Sequence, residues 1–202
     1  MLRSEKVATV VNIAKQKELD SGRSMKYWAE LDDTYITTDG QRIRTRKVGT
    51  FPLYPYHIHF QVEHDAEMNT EILTLEHRRH AKDTEPVTIS LYRFLGWDDF
   101  GLPDDSFTLL RLLARIRQEG EGSPPIVFHC SAGLGRTGTA LAIEDGIRAI
   151  NKGCKSTVPK IVELIRKQRP GCVQKPQQYA FIYAAVAVYS NVSLSHSLRL
   201  QV

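Results

Sequence analysis

The chain has 202 residues, 42% hydrophobic and 25% charged, the make-up of one globular domain that can bury its own core. These values exclude a disordered, collagenous or low-complexity chain, and no internal repeat is present. A formal charge of +4 suits an anionic ligand, but the short basic clusters, such as Arg42/Arg44/Arg46/Lys47 and Arg78/Arg79, lack the aromatic-studded stripe of a nucleic-acid surface, so no nucleic-acid partner is expected.

In chain order, the β-branched run from Val7 to Ile13 predicts a buried strand, and a polar loop from Lys15 to Ser24 leads to Tyr27-Trp28. Strands are then predicted over Tyr35–Thr38, Arg42–Val48, His57–Val62, Thr70–Glu76 and Val87–Phe94, with turns such as Asp39-Gly40 between them. The second half is helical. Asp104-Asp105-Ser106 supplies an N-cap and first-turn acids to a helix reaching about Gln118, whose core stripe is Leu109, Leu112, Leu113 and Ile116. Ser123-Pro124-Pro125 breaks the chain before a short strand, Ile126 to Phe128, and a glycine-rich loop leads into a helix from about Arg136 to Asn151 that Lys152-Gly153 ends. A further helix spans about Pro159 to Gln168, capped by Ser156 or Thr157 and stopped by Pro170, and another starts at Pro176. Strands first and helices later predict an α+β (mixed α/β) fold, a twisted mixed sheet flanked by helices, in a single domain over residues 1–202.

Cys130, Cys154 and Cys172 are odd in number and sparse, which argues against a disulfide framework and for a reducing compartment. None is spaced as a metal pair, so neither a metal nor another cofactor is expected. The longest apolar run, Tyr179 to Tyr189, is about half of what a bilayer crossing needs, and the opening residues carry no signal-peptide core. The expectation is a cytoplasmic protein without membrane insertion, or the intracellular portion of a longer one. The sequence carries no marker of oligomeric state.

Chemistry concentrates in Val127-Phe128-His129-Cys130-Ser131-Ala132-Gly133-Leu134-Gly135-Arg136-Thr137-Gly138. A strand ends at a cysteine, a loop with two glycines follows, and an arginine opens a helix. Successive backbone N–H groups in such a loop converge into an anion nest, and the helix N-terminus adds partial positive charge at the same point. Arg136 adds a planar fork for two phosphate oxygens. Gly133 and Gly135 let the backbone approach a phosphate. Such surroundings favour a thiolate, which makes Cys130 a nucleophile beneath a phosphate cradle formed by Ser131, Ala132, Gly133, Leu134, Gly135 and Arg136. Thr137 either caps the helix or stabilises the Cys130 thiolate, and the two roles are compatible. His129 reads as a supporting residue rather than a proton carrier. Cys154 and Cys172 read as small buried hydrophobes.

His129-Cys130-x-x-Gly133-x-Gly135-Arg136-Thr137-Gly138 resembles the signature of the protein tyrosine phosphatases, and it overlaps that of the lipid and dual-specificity phosphatases. Trp97-Asp98-Asp99-Phe100-Gly101-Leu102-Pro103 resembles that family's mobile acid loop, normally Trp-Pro-Asp-Phe-Gly-Val-Pro. The run from Arg169 to Tyr179 resembles its glutamine loop, and Tyr27-Trp28 sits where the family carries a Tyr-Trp pair. The resemblance spans Val7 to Tyr189. It implies a hydrolase of phosphotyrosine on proteins, active in signalling, with a phosphocysteine formed on Cys130. Asp99 is implied as general acid and then base, Gln174 as the residue that positions water, and Gln178 as its assistant. The alternatives are a dual-specificity or phosphoinositide phosphatase with a shallower pocket, or a weakly active phosphotyrosine-binding module. Asp99 and Gln174 argue against the last, because binding alone needs no acid.

The pattern fails in three places. Asp98 replaces a proline, which frees φ at that position and loads the acid loop with a second carboxylate. Lys175 replaces a threonine and loses a helix cap. The resemblance also implies N-terminal helices and a Lys-Asn-Arg-Tyr recognition loop upstream of the Val7 strand. The chain starts too late to hold them, which leaves the pocket short of one wall. The segment from Gly49 to Met68 is longer than its family counterpart.

Overall fold

In the computed structural model the described residues are 6–24, 35–39, 42–46, 57–66, 68–78, 87–120 and 125–199. Tyr27-Trp28, residues 47–56 and the turn at 40–41 lie outside them. The β-branched start of the chain forms strand β1 (Thr9–Asn12), which lies parallel to both of its neighbours, β6 (Val87–Phe94) and β7 (Ile126–His129). Val10, Val11 and Asn12 are all buried, as befits a parallel strand covered on both faces. Helix α1 (Gln16–Asp20) follows directly, where a polar loop was predicted. It is five residues long and has no apolar period to betray it. Its start is held by Glu18, whose carboxylate reaches back to the Lys15 N–H at 2.9 Å, half of a capping box.

Strands β2 (Tyr35–Asp39), β3 (Arg42–Arg46), β4 (His57–Asp65) and β5 (Thr70–Arg78) continue the sheet as an antiparallel meander into β6. The seven strands lie in the order β2-β3-β4-β5-β6-β1-β7, so the sheet is mixed, as predicted. β4 and β5 run two or three residues beyond their predicted ends because they pair in register over their whole length, from His57 opposite Arg78 to Asp65 opposite Thr70.

Asp105, rather than Asp104 or Ser106, caps helix α2 (Ser106–Gly120), accepting the N–H of Thr108 at 2.8 Å and its hydroxyl at 2.7 Å. The predicted stripe of Leu109, Leu112, Leu113 and Ile116 is buried, each side chain contributing about 1.5–3 kcal/mol. Helix α3 (Gly135–Asn151) is buried along most of its length and packs on β7, on α4 (Val158–Gln168) and on α5 (Pro176–Arg199), the position of a core helix. Thr157 holds the N-cap position of α4 without a side-chain bond. Among the described residues no helix is long and apolar enough to cross a membrane.

α3 is seated by close approach. A Cβ at Gly138 would fall 2.8 Å from the Cys172 Cβ and 2.9 Å from the Val173 backbone nitrogen. A Cβ at Gly146 would meet only a terminal methyl of Val186, at 2.7 Å. Gly138→Ala should therefore destabilise the domain by about 1–3 kcal/mol, because backbone cannot make way as a side chain does. Gly146→Ala should cost less. Urea unfolding of the two variants measures this, and an unchanged midpoint for Gly138→Ala would contradict the packing described.

Candidate active site

β7 delivers Cys130 to the end of the sheet, loop 131–134 turns, and α3 opens at Gly135. The loop keeps its shape through a residue distant in sequence. Arg169 donates from Nε to the Gly133 carbonyl at 2.8 Å and from Nη2 to the Ala132 carbonyl at 3.2 Å. Holding those carbonyls on one side turns the following N–H groups, of Leu134 and Gly133, to the other, because a trans peptide sets its two polar groups opposite each other. Gly133 takes φ +67°, which a side chain would resist. The Leu134 carbonyl accepts from Gly138 at 3.0 Å and from Val173 at 3.1 Å, tying loop, helix and the segment after α4 together.

The Thr137 hydroxyl donates to the Cys130 sulfur at 3.1 Å, and both residues are buried. Arg136 is 1% exposed. Its Nη1 donates to Glu18 Oε2 at 2.7 Å and to the carbonyls of Ile13 and Trp97 at 3.0 and 3.3 Å. Its Nη2 donates to Glu18 Oε1 at 2.6 Å, to Asp99 Oδ1 at 3.0 Å and to the Ser131 hydroxyl oxygen at 3.4 Å. The Ser131 hydroxyl in turn donates to Glu18. Arg136 Nε is buried and donates to no acceptor among the described residues.

Glu18 is the residue that the sequence reading missed. Burial by itself would raise its pKa, but bonds from Arg136, Ser131 and the Lys15 N–H outweigh this and hold it at about 2. Burial likewise would lower the pKa of Arg136, and its bond to Glu18 raises it instead, so the guanidinium keeps its charge. Glu18 stands in a polar stretch 118 residues from Arg136, with no motif around it. The available signal was local, a glutamate three residues past a helix start.

The acid loop lies over the cradle. Trp97 is fully buried and its indole N–H donates to the Gly101 carbonyl at 2.9 Å. Gly101 N–H donates to the Asp98 carbonyl at 3.1 Å, closing a turn in which Phe100 takes φ +60°. A left-handed bulky residue stores about 1–3 kcal/mol of strain, so this turn needs external support. Asp99 receives it from Arg136. Asp98 receives it from Lys17 at 2.5 Å and Lys15 at 3.2 Å, whose bonds lower its pKa. The like charge that Asp98 was expected to add to the loop is thus met by two cations.

Gln174 and Gln178 both reach the cradle, since a Cβ at Gly135 would sit 2.7 Å from Gln174 Oε1 and 3.1 Å from Gln178 Nε2. Gln178 is buried, and its Oε1 accepts the N–H groups of Gln174 and Lys175 at 3.1 and 3.3 Å. From the first turn of α5 it reaches back to the N–H groups that precede the helix, the reverse half of a capping box. Arg166 holds the same segment through the carbonyls of Cys172 and Val173, both at 2.9 Å. Burial lowers the pKa of His129, only partly countered by its Nδ1 bond to the Cys130 carbonyl at 3.2 Å, a balance that favours the neutral imidazole. Cys172 is buried and its thiol pKa is pushed up by that burial. Cys154 is exposed, contrary to its reading as a core residue, because it lies beyond the end of α3.

Folding lowers the Glu18 pKa from 4.5 to about 2. The stability it contributes is complete above pH 4.5 and drains away as pH falls toward 2. Glu18→Gln, which leaves a buried guanidinium without its counter-charge, should lose about 3–5 kcal/mol and should flatten that acid limb. Urea unfolding of both proteins across this pH range is the measurement. An equally steep acid limb in the variant would refute the assignment.

Residues 1–188 match the protein-tyrosine phosphatase family. The rat tyrosine-protein phosphatase non-receptor type 2 is 28% identical over 190 residues, covering 92% of this chain and 42% of its own length. The Arabidopsis thaliana protein-tyrosine-phosphatase PTP1 is 41% identical over 109 residues, covering 52% of this chain and 32% of its own. Among solved structures, the Trypanosoma brucei protein tyrosine phosphatase TbPTP1 superposes with a TM-score of 0.69 at 29% identity, covering 94% of this chain and 62% of that one. The chain therefore spans less than half the length of the curated relatives it matches and about three-fifths of that solved chain. A thiol, a charged arginine and a carboxylate converge at the junction of β7 and α3, and with the match over nearly the whole sequence they place the chain in the protein-tyrosine phosphatase family.

Proposed function

We propose that residues 1–202 form one catalytic domain that hydrolyses phosphotyrosine on proteins through a phosphocysteine at Cys130. The observation that carries this reading is the guanidinium of Arg136. It is buried, charged and fixed by Glu18, its Nε has no acceptor among the described residues, and it touches Asp99 beside the Thr137–Cys130 pair. A buried donor left unpaired costs about 1–3 kcal/mol, and a phosphoryl oxygen would satisfy it. The N–H groups of loop 131–135 would share the remaining phosphate charge.

In the first step the Cys130 thiolate attacks phosphorus, the S–P bond forms and the bond to the tyrosine oxygen breaks. That oxygen leaves as a phenolate of pKa about 10, so Asp99 delivers it a proton. In the second step Gln174 orients water and Asp99 takes its proton; the water oxygen bonds to phosphorus as the S–P bond breaks, its electron pair returns to sulfur, and inorganic phosphate leaves. The Thr137 hydroxyl bonds that thiolate in both steps. His129, neutral and bonded to the Cys130 carbonyl, supports the backbone and moves no proton, and Gln178 holds the Gln174 backbone. The enzyme is inferred to work in a reducing, cytoplasmic setting, where its three free cysteines persist, with a phosphotyrosine-bearing protein as its partner.

Turnover of a phosphotyrosine peptide beside phosphoserine and phosphoinositide substrates tests the reading, and a preference for either of the latter would replace it. Cys130→Ser should abolish turnover and leave the fold intact, whereas activity within about tenfold of the parent would sink the phosphocysteine. Asp99→Ala should cut turnover of the peptide by roughly 10²–10⁴, and far less for an activated aryl phosphate that needs no proton. If Asp98→Ala gave the loss of roughly 10²–10⁴ and Asp99→Ala did not, the acid would have to be reassigned.

A further inference from the structure

The acid loop meets α1 at a carboxylate with no role in the steps above. Asp98 lies between Lys17 and Lys15, at 2.5 and 3.2 Å. Two neighbouring carboxylates of the loop are thus held through charge: Asp98 by Lys15 and Lys17 at the start of α1, and Asp99 by Arg136 on α3. The two grips share a support, because Glu18, one residue past Lys17, is what holds Arg136. A fourth cation, Lys175, lies 5.1 Å from the centre of the exposed Phe100 ring, on the glutamine-loop side. The backbone within this frame does not hold itself. Phe100 is left-handed, and Asp98 has no ring to fix its φ.

We propose that Asp98 is a positioning residue, and that its ion pairs with Lys15 and Lys17 form an electrostatic latch that closes the acid loop over Cys130 and Arg136. The proposal rests on the phosphatase reading for its kinetic consequences but not for the contact itself. Side chains of Asp98 and Lys17 are 48% and 62% exposed and that of Lys15 is 22% exposed, so salt screens the latch, its Lys17 arm most, while leaving the buried Glu18–Arg136 fork almost untouched. Closure brings Asp99 to the leaving oxygen, so an opened latch lowers kcat for leaving groups that need a proton and spares those that do not. Salt also weakens capture of an anionic substrate, but that effect falls on KM.

The test measures kcat at saturation for a phosphotyrosine peptide and for an activated aryl phosphate between about 0.1 and 1 M salt, where the Debye length contracts from about 10 to about 3 Å. The native enzyme should lose about 3- to 10-fold on the peptide, the range set by pairs of this exposure, and much less on the activated ester. Asp98→Asn should show that loss already at low salt and little salt dependence afterwards. Adding Lys15→Gln and Lys17→Gln to Asp98→Asn should lower kcat no further. Asp98→Pro should restore kcat without restoring the salt dependence. Hydrogen–deuterium exchange over residues 97–103 reads the loop without reference to turnover: uptake should quicken in Asp98→Asn and in the native chain at high salt, but not in Asp98→Pro. Unchanged exchange in Asp98→Asn, equal losses on both substrates, or additive losses from the lysine and aspartate changes would each overturn the latch. A native chain that turned over neither substrate would overturn the phosphatase reading, and the exchange measurement would still decide the latch.

Discussion

Glu18 and Arg136 meet through both carboxylate oxygens and both terminal guanidinium nitrogens, out of contact with solvent. Either charge alone in that position would be untenable, and together they form a planar fork whose orientation is fixed. Much of the site is built on that orientation. It aims Arg136 at Asp99 and Ser131, it anchors α1 at the end of β1 through the Ile13 carbonyl, and it reaches the acid loop through the carbonyl of Trp97. One buried pair thus joins the first strand, the acid loop and the opening of the central helix.

The remaining loops are tied by the same kind of donor. Arg169 holds the cradle through two carbonyls, and Arg166 holds the glutamine loop through two more. Buried Gln178 serves the N–H groups of Gln174 and Lys175. These segments without regular structure have backbone groups bonded by side chains from α4, its C-cap and α5. Glycine at 135 and 138 lets these segments press against α3 without a Cβ between them.

The acid loop follows another economy. Its tryptophan is locked in the core and its two carboxylates face cations on two different helical segments. Where the family pattern has proline this chain has Asp98, and where it has threonine this chain has Lys175. Both substitutions introduce charges that contact something on or beside the closed loop. Where the family pattern has a proline ring, the loop of this chain carries partly exposed ion pairs.

The cradle was legible because its chemistry is contiguous: a strand, Cys130, two glycines, Arg136 and a helix start follow one another within a dozen residues, and spacing alone brings them together. The stripe of α2 and the alternation of strands and helices were equally readable, since periodicity is a local property. Residues 16–20 were misread because a five-residue helix has no period to show. Glu18, Lys15, Lys17, Arg166 and Arg169 look like ordinary charges on solvated faces, and Gln178 like a second loop amide. The sequence by itself determined which residues carry reactive groups and which faces are apolar. Tertiary structure alone decided which carboxylate is buried against which arginine, and which cations meet the acid loop. The physical reason is that a charge acquires its role from its nearest counter-charge and its burial, and both depend on contacts spanning most of the chain's length.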